Sequence, residues 1–224
     1  VEIWPRGGGK SSTAEMTCVV VGALEKRKYA LYLSSTQEQA DQHVANVAAL
    51  LESEQIQRYY PRLGRPEIGL YGSSKGWRRN RLATASGFVI DALGLEADSV
   101  RGLKKEEQRP DFQIPDDLDG RHDSPDITAK KIQMLTQSVF PAGSSDCAIL
   151  GVQNLVHKHS IFSKLQENGG ADFLLDRIVS GPYKAIEDWP AKPIRGVHYE
   201  VRGITYFILQ GTPTWEGQNI ETCQ

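Results

Sequence analysis

The sequence predicts an α/β domain whose central sheet is mostly parallel and flanked by helices. Three observations predict it. A short apolar segment at 1–4 (VEIW) runs into a Gly-rich loop at 5–9 (PRGGG) and then into a helical stretch from Lys10 to about Leu24. The next apolar segment, 29–34 (YALYLS), is hydrophobic almost throughout, as strands covered on both faces are. A second helical stretch follows it, so strand and helix alternate from the first residue, the order of parallel strands joined by crossover helices.

The later elements follow the same logic. Thr36 and Gln39 form a capping box, in which side chain and backbone satisfy each other reciprocally. The helix they open carries Ala40, Val44, Val47 and Leu51 on one face. Residues 53–110 are less regular, with a hairpin over 82–92 turning at Ser86-Gly87. Residues 112–115 form a short strand that ends in an acidic run. Ser124 followed by Pro125 is an N-cap with proline at the first helical position, and the helix beyond it presents Ile132, Leu135 and Val139. Residues 147–153 (CAILGVQ) form a second strongly apolar strand, and 160–166 a short helix. Residues 198–201 and 205–210, on either side of Arg202-Gly203, form a hairpin. The chain has no internal repeat and no low-complexity segment.

Composition narrows the function. With 224 residues the chain suits one large domain, and its formal net charge of −2 argues against a dedicated nucleic-acid binder. Contact with DNA must come from a local patch or from another domain. The best patch is 75–81 (KGWRRNR), with Lys75, Arg78, Arg79 and Arg81 around Trp77; the same residues suit a charged guard on a sheet edge. The three cysteines, Cys18, Cys147 and Cys223, have no metal-type spacing and point to a reducing compartment. No apolar run approaches the ~20 residues of a membrane span, and no signal peptide is evident.

The most informative segment is WPRGGGKSS at 4–12. In a phosphate-binding loop, backbone N–H groups and a helix N-terminus cradle phosphate oxygens, and glycines let the backbone approach. Here Gly7, Gly8, Gly9, Lys10, Ser11 and Ser12 would hold the nucleotide. Lys10 would reach the β- and γ-phosphates, Ser11 would hold Mg²⁺ through its hydroxyl, and Arg6 would add a second cation. Gly9, Lys10 and Ser11 match the motif G-x-x-x-x-G-K-[ST], but Trp4 stands where its first glycine belongs. The bland alternative is a Gly-rich turn before a helix, with Arg6 at the surface.

A P-loop hydrolase also needs a carboxylate for Mg²⁺ and an acid that orients the attacking water. The segment PDFQIPDDLDG supplies Asp116 for the metal and Asp117 for the water. Asp117 is one methylene shorter than the Glu many ATPases use, so Asp119 is a second candidate for that task. Pro115 removes a ladder hydrogen bond, so the strand is expected to end there. Two other readings of these acids are a loop that caps the helix at Ser124 and a two-metal nuclease cluster of Asp111, Asp116, Asp117, Asp119, Asp123 and Asp126. No partner cluster of acids or histidines supports the nuclease.

The strand 147–153 ends in Gln153 and Asn154. In P-loop ATPases with an additional central strand, polar residues there can sense the γ-phosphate; the alternative is a strand end satisfying its own backbone. These features together make the predicted fold a P-loop NTPase of the additional-strand type. Arg101 could stabilise transition-state charge in a neighbouring subunit or lie at the surface. His157 and His159 have a spacing a metal could share, but no third ligand is visible.

The blocks PRGGGKSSTAE, YALYLSSTQEQADQHV, SVRG, RPDFQIPDDLD, CAILGVQNLVHKHSIFSKL, DRIVSGP and GTPTWEGQ, in this order over nearly the whole chain, resemble phage large terminase subunits. The blocks VQN–VHKHSIFSKL and GTPTWEGQ are the more specific. The resemblance implies an N-terminal ATPase domain over 1–210, the start of a linker over 211–224, and a nuclease domain beyond this sequence. It also implies that the segment helping to hold adenine, which precedes the P-loop strand in the family, lies outside it. Lys10 and Ser11 would bind ATP and Mg²⁺, with Arg6 on the phosphates and Asp116 and Asp117 as the acid pair. Gln153 and Asn154 would form the coupling strand end, and Arg101 the arginine acting in trans. The implied partners are double-stranded viral DNA, the portal protein, the small terminase subunit and further copies in a ring, with no membrane, in the cytoplasm of an infected bacterial host. Two other functions fit the motifs: a helicase-like, nucleic-acid-dependent P-loop ATPase, and a degenerate docking module that does not hydrolyse ATP.

Overall fold

In the computed structural model the described residues are 1–95, 108–167, 169–187, 198–201, 204–207, 212–215 and 217. In chain order the elements begin with β1 (Glu2–Ile3), α1 (Lys10–Ala23), β2 (Tyr29–Ser34), α2 (Gln37–Leu51) and α3 (Glu54–Tyr59). Next come β3 (Trp77–Arg78), β4 (Arg81–Ala83), β5 (Val89–Gly94), β6 (Phe112–Pro115) and α4 (Pro125–Met134). A π-helical turn (Leu135–Val139) leads α4 into α5 (Phe140–Ala142). After it lie β7 (Ala148–Ile149), β8 (Val152–Gln153), α6 (Ile161–Gln166) and β9 (Ile186–Glu187). The last are β10 (His198–Val201), β11 (Ile204–Phe207) and β12 (Thr212–Pro213).

Six strands form the main sheet in the order β3-β4-β5-β2-β6-β7. β5, β2, β6 and β7 run parallel, while β3 and β4 form an antiparallel edge. β8 pairs in parallel with β1, and a parallel bridge between Asp116 and Val152 joins β8 to the end of β6. One strand path, β7 then β8, therefore separates the strand that enters the Gly-rich loop from the strand that ends at Asp116. This is the additional-strand arrangement.

Pro115 explains why that path is split. Leu150 N–H donates to the Gln113 carbonyl, and Asp117 N–H to the Val152 carbonyl. Gln113 and Asp117 thus face β7–β8, and so does Pro115 midway between them. It has no N–H to give, so the ladder lapses between Ile149 and Val152 and resumes at Asp116. The strand direction survives the proline, and Asp116 stays in register beside β2, its N–H on the Leu33 carbonyl at 2.8 Å.

The alternation of β2 decides the packing. Ala30 and Tyr32 face Ala14 and Cys18 of α1 and Val44, Val47 and Leu51 of α2 in one core. Leu31 and Leu33 face Leu135, Val139 and Phe162 in the other. Both faces of β2 are dry, as its unbroken apolar run required. The Thr36–Gln39 capping box and the Ser124 N-cap with Pro125 are both present. No helix among the described residues is long and apolar enough to cross a membrane.

The basic segment 75–81 lies on the β3–β4 edge, and three of its cations face acids. Lys75 pairs with Glu67 at 2.8 Å, Arg81 with Asp91 at 2.6 Å, and Arg79 lies 3.8 Å from Asp41. β12 pairs with β9, so residues 212–213 are tied to 186–187 across the boundary expected at 210/211. β10 and β11 form the expected hairpin.

Candidate active site

β1 delivers the Gly-rich loop. Gly7 and Gly9 have φ of 79° and 76°, a left-handed backbone that favours glycine. Gly9 is the N-cap of α1 and offers no side chain to it, and the first turn of α1 holds no acid. The positive end of the helix thus lacks a side-chain cap and an acid of its own first turn. Gly8 sits tight against the loop, where an added Cβ would lie 3.2 Å from the Pro5 carbonyl. Ser12 is exposed on the outer side of the first turn.

The loop meets the acidic strand end directly. Ser11 Oγ donates to Asp116 Oδ1 at 3.2 Å, between residues 105 positions apart. Lys10, 8% exposed, brings Nζ to 3.6 Å from Asp117 Oδ1. Asp116 is fully buried, and its second oxygen accepts from Tyr32 Oη–H at 2.8 Å. The Tyr32 ring stacks on His43, whose Nδ1 lies 2.7 Å from Glu15 and whose Nε2 lies 3.7 Å from Asp116. Asn46 donates to the same Glu15 oxygen at 2.8 Å.

Burial pushes the Asp116 carboxyl above its ordinary range, against the opposing pull of Tyr32, His43 and Ser11. Burial alone would lower His43, but its hydrogen bond to Glu15 and the charges of Asp116, Glu15 and Asp117 outweigh it and raise the imidazole. An ionised Asp116 is costly here and is relieved by a cation. Its Oδ1 and Ser11 Oγ are two hard oxygen donors side by side. Among the described residues no group of three or more His, Cys, Asp and Glu gathers that could hold an ion. A serine and one carboxylate, completed by water and phosphate, fit the habits of Mg²⁺.

Asp117 differs from its neighbour. It adopts φ 49°, uncommon for a non-glycine residue and a form of strain that concentrates at functional sites. Its Oδ1 is buried and accepts no hydrogen bond among the described residues. Asp119, the alternative for the water, is committed elsewhere. Its two oxygens accept from the N–H groups of Ile161 at 2.8 Å and Phe162 at 3.2 Å, which caps α6. Burial raises its carboxyl, opposed by those two donors.

Gln153 spends its side-chain amide on backbone groups. It is fully buried, and Oε1 accepts from Leu118 N–H at 2.9 Å and Asp119 N–H at 3.2 Å. Its Nε2 donates to the Asp119 carbonyl at 3.3 Å. The amide therefore staples the loop that follows Asp117, and Asn154 is the polar residue that reaches the open side. There, a cleft of about 250 Å³ is lined by Arg6, Lys10, Gln39, Asp117, Asp119, Arg121 and Asn154 among others. Arg101 lies outside the described residues.

Glu15, Tyr32 and His43 were missed in the sequence. The clue was there: His43 and Asn46, three apart, share one face of α2 beside the buried Val44 and Val47. Tyr32, like Tyr29, is a hydroxyl-bearing ring in a strand buried on both faces, where the hydroxyl needs a partner.

No protein-family model matches the chain, and no curated protein matches it. Among solved structures it is similar to the large terminase ATPase domain of Thermus phage P74-26, at 19% identity and a TM-score of 0.46 over 68% of this chain. A substituted form of that domain gives 18% identity and a TM-score of 0.47. In both cases the match spans 58% of the other chain's length.

Proposed function

We propose that this chain hydrolyses ATP with Mg²⁺ and serves as the motor domain of a phage large terminase subunit, driving viral DNA into a procapsid. The observation that carries the hydrolytic part is the double contact between loop and strand end, Ser11 with Asp116 and Lys10 with Asp117. It brings together Lys10, Ser11, Asp116 and Asp117, to which this reading gives phosphate, Mg²⁺ and the attacking water. The packaging role, with duplex DNA, portal, small subunit and a ring of copies as partners, rests on the ordered sequence blocks that resemble large terminases.

The chemistry follows from the positions. The triphosphate lies along the Gly7–Gly9 backbone at the α1 N-terminus, and Lys10 leaves Asp117 to meet the phosphate charge. Bound Mg²⁺ would neutralise charge on the phosphate oxygens. Asp117 Oδ1, freed from Lys10, accepts a hydrogen bond from water and directs its oxygen at the γ-phosphorus. The new P–O bond forms as the bond to the β-phosphate oxygen breaks and the water's proton passes by way of Asp117 to the phosphate, giving ADP and phosphate. Arg6 and Lys10 stabilise the charge that develops. Tyr32 and the Glu15–His43 pair keep Asp116 in one orientation, and Gln153 keeps the Asp117 turn in place.

The test is ATP turnover with and without linear duplex DNA. Turnover stimulated by duplex DNA and lost in Lys10→Ala supports the proposal. Equal stimulation by single-stranded DNA would favour a helicase-like translocase. Absence of turnover and of ATP binding would leave the non-hydrolysing docking module.

A further inference from the structure

We propose that a second cleft, of about 270 Å³, walled by Trp4, Pro5, Pro182 and Tyr183, takes the purine base of the nucleotide. The inference rests on the nucleotide reading of the phosphate loop and deepens it.

Topology gives the direction. β1 has a neighbour on each side: β8 on one, and Ser180 on the other through a parallel bridge to Glu2. Asp116 and Asp117 lie on the β8 side, which fixes where the γ-phosphate must point. The remainder of the nucleotide leaves over the opposite side, where Tyr183 N–H donates to the Ile3 carbonyl at 3.0 Å. The second cleft spans the end of β1, from Pro182 and Tyr183 on that side to Asn154 and Leu155 after β8, and it shares Arg6 and Asn154 with the phosphate cleft. One molecule can therefore occupy both.

The walls suit a flat, bicyclic π system. Trp4 and Tyr183 meet edge to face, with centroids 6.5 Å apart and an interplanar angle of 85°. Two proline rings add apolar surface. The walls are set before any ligand arrives: Trp4 Nε1–H donates to Glu2 at 3.0 Å, and Tyr183 Oη lies 3.0 Å from Ser180 Oγ. Gly181, at φ 100°, lets this segment press against β1, because a Cβ there would run into the Ile3 carbonyl. Tyr183 nonetheless leaves 51% of its surface exposed beside the phosphate loop.

The inference also accounts for the odd residue of the motif. Trp4 replaces the first glycine, yet it lines the base cleft and not the phosphate cleft. The loop keeps its phosphate hollow and the indole supplies a stacking wall.

The experiment compares MgATP with Mg-tripolyphosphate, which has no base, by calorimetric titration. The proteins are wild type, Trp4→Ala, Trp4→Phe, Tyr183→Ala and Lys10→Ala, each checked by circular dichroism. Stacking on one aromatic ring predicts that Trp4→Ala weakens ATP by about tenfold or more and leaves tripolyphosphate unchanged. Trp4→Phe should retain most of the ATP affinity, and Tyr183→Ala, on a separate segment, should repeat the selective loss. Lys10→Ala should weaken both ligands. If Lys10-dependent binding of both ligands stands while Trp4→Ala and Tyr183→Ala change neither, or weaken both alike, the base cleft is overturned alone. If wild type binds neither ligand, the nucleotide reading falls and the base cleft falls with it.

Discussion

Replacing Gln153 with leucine separates a structural staple from a phosphate sensor. The leucine fills similar space but accepts nothing, so the buried N–H groups of Leu118 and Asp119 lose the oxygen they share. An unsatisfied buried donor costs about 1–3 kcal/mol. Two of them, partly relieved by local relaxation, come to roughly 2–4 kcal/mol, a large share of the ~5–15 kcal/mol that holds a typical domain together. In a chain of this size each kcal/mol moves Tm by about 2–4 °C, so the drop should be roughly 5–15 °C. Turnover should fall as well, because Asp117 begins the loosened turn. Thermal unfolding by circular dichroism reads the first effect and phosphate release the second. An unchanged Tm with turnover abolished would refute the staple and return Gln153 to direct contact with the nucleotide.

Other consequences follow from the same contacts. Tyr32→Phe removes the hydroxyl that holds Asp116 Oδ2, and the Mg²⁺ concentration for half-maximal turnover should rise about 10–100-fold, the usual effect of losing a group that orients a metal ligand. Asp116→Asn should abolish turnover yet raise Tm at neutral pH. Burial lifts the folded Asp116 pKa above the ordinary 3.8, so its stabilising contribution is complete below 3.8 and is lost as pH rises through the folded value. The Tm advantage of the asparagine should therefore shrink as pH falls, and a constant advantage from acid to neutral pH would contradict it. Asp119→Ala removes the acceptor of the Ile161 and Phe162 N–H groups at the start of α6 and should cost about 1–2 kcal/mol in urea unfolding.

Much of the site was legible because local rules and distant chemistry agree there. The Gly-rich loop, Lys10 and Ser11 are consecutive, and Asp116, expected opposite them from the end of an apolar strand, meets Ser11. α2 was legible for the same reason: the Thr36–Gln39 box and the spacing of Ala40, Val44, Val47 and Leu51 specify one helix and one face. What stayed hidden depends on side chains that meet only after folding. Glu15, His43 and Tyr32 come from three elements, and each has an ordinary role in its own segment. Gln153 sits at a strand end, where sensor and staple share one pattern, and only the three bonds to 118–119 distinguish them. Pro115 suggested a strand end, and β6 does end there; because the lost donor faces β7 only, Asp116 still keeps its bond to β2 and a bridge to Val152. The pairing of Ser180 beside β1 joins segments far apart in the chain and had no local signature.

The claim on which the rest depends is that Asp117 directs the attacking water while Lys10 and Ser11 hold the nucleotide. Its most direct test is the turnover and ATP affinity of Asp117→Asn. The account predicts ATP affinity within about threefold of wild type, or tighter, because Lys10 no longer faces a competing carboxylate. It predicts turnover reduced by about 10²–10⁴-fold, the range of a lost general base. Wild-type turnover in Asp117→Asn would contradict it.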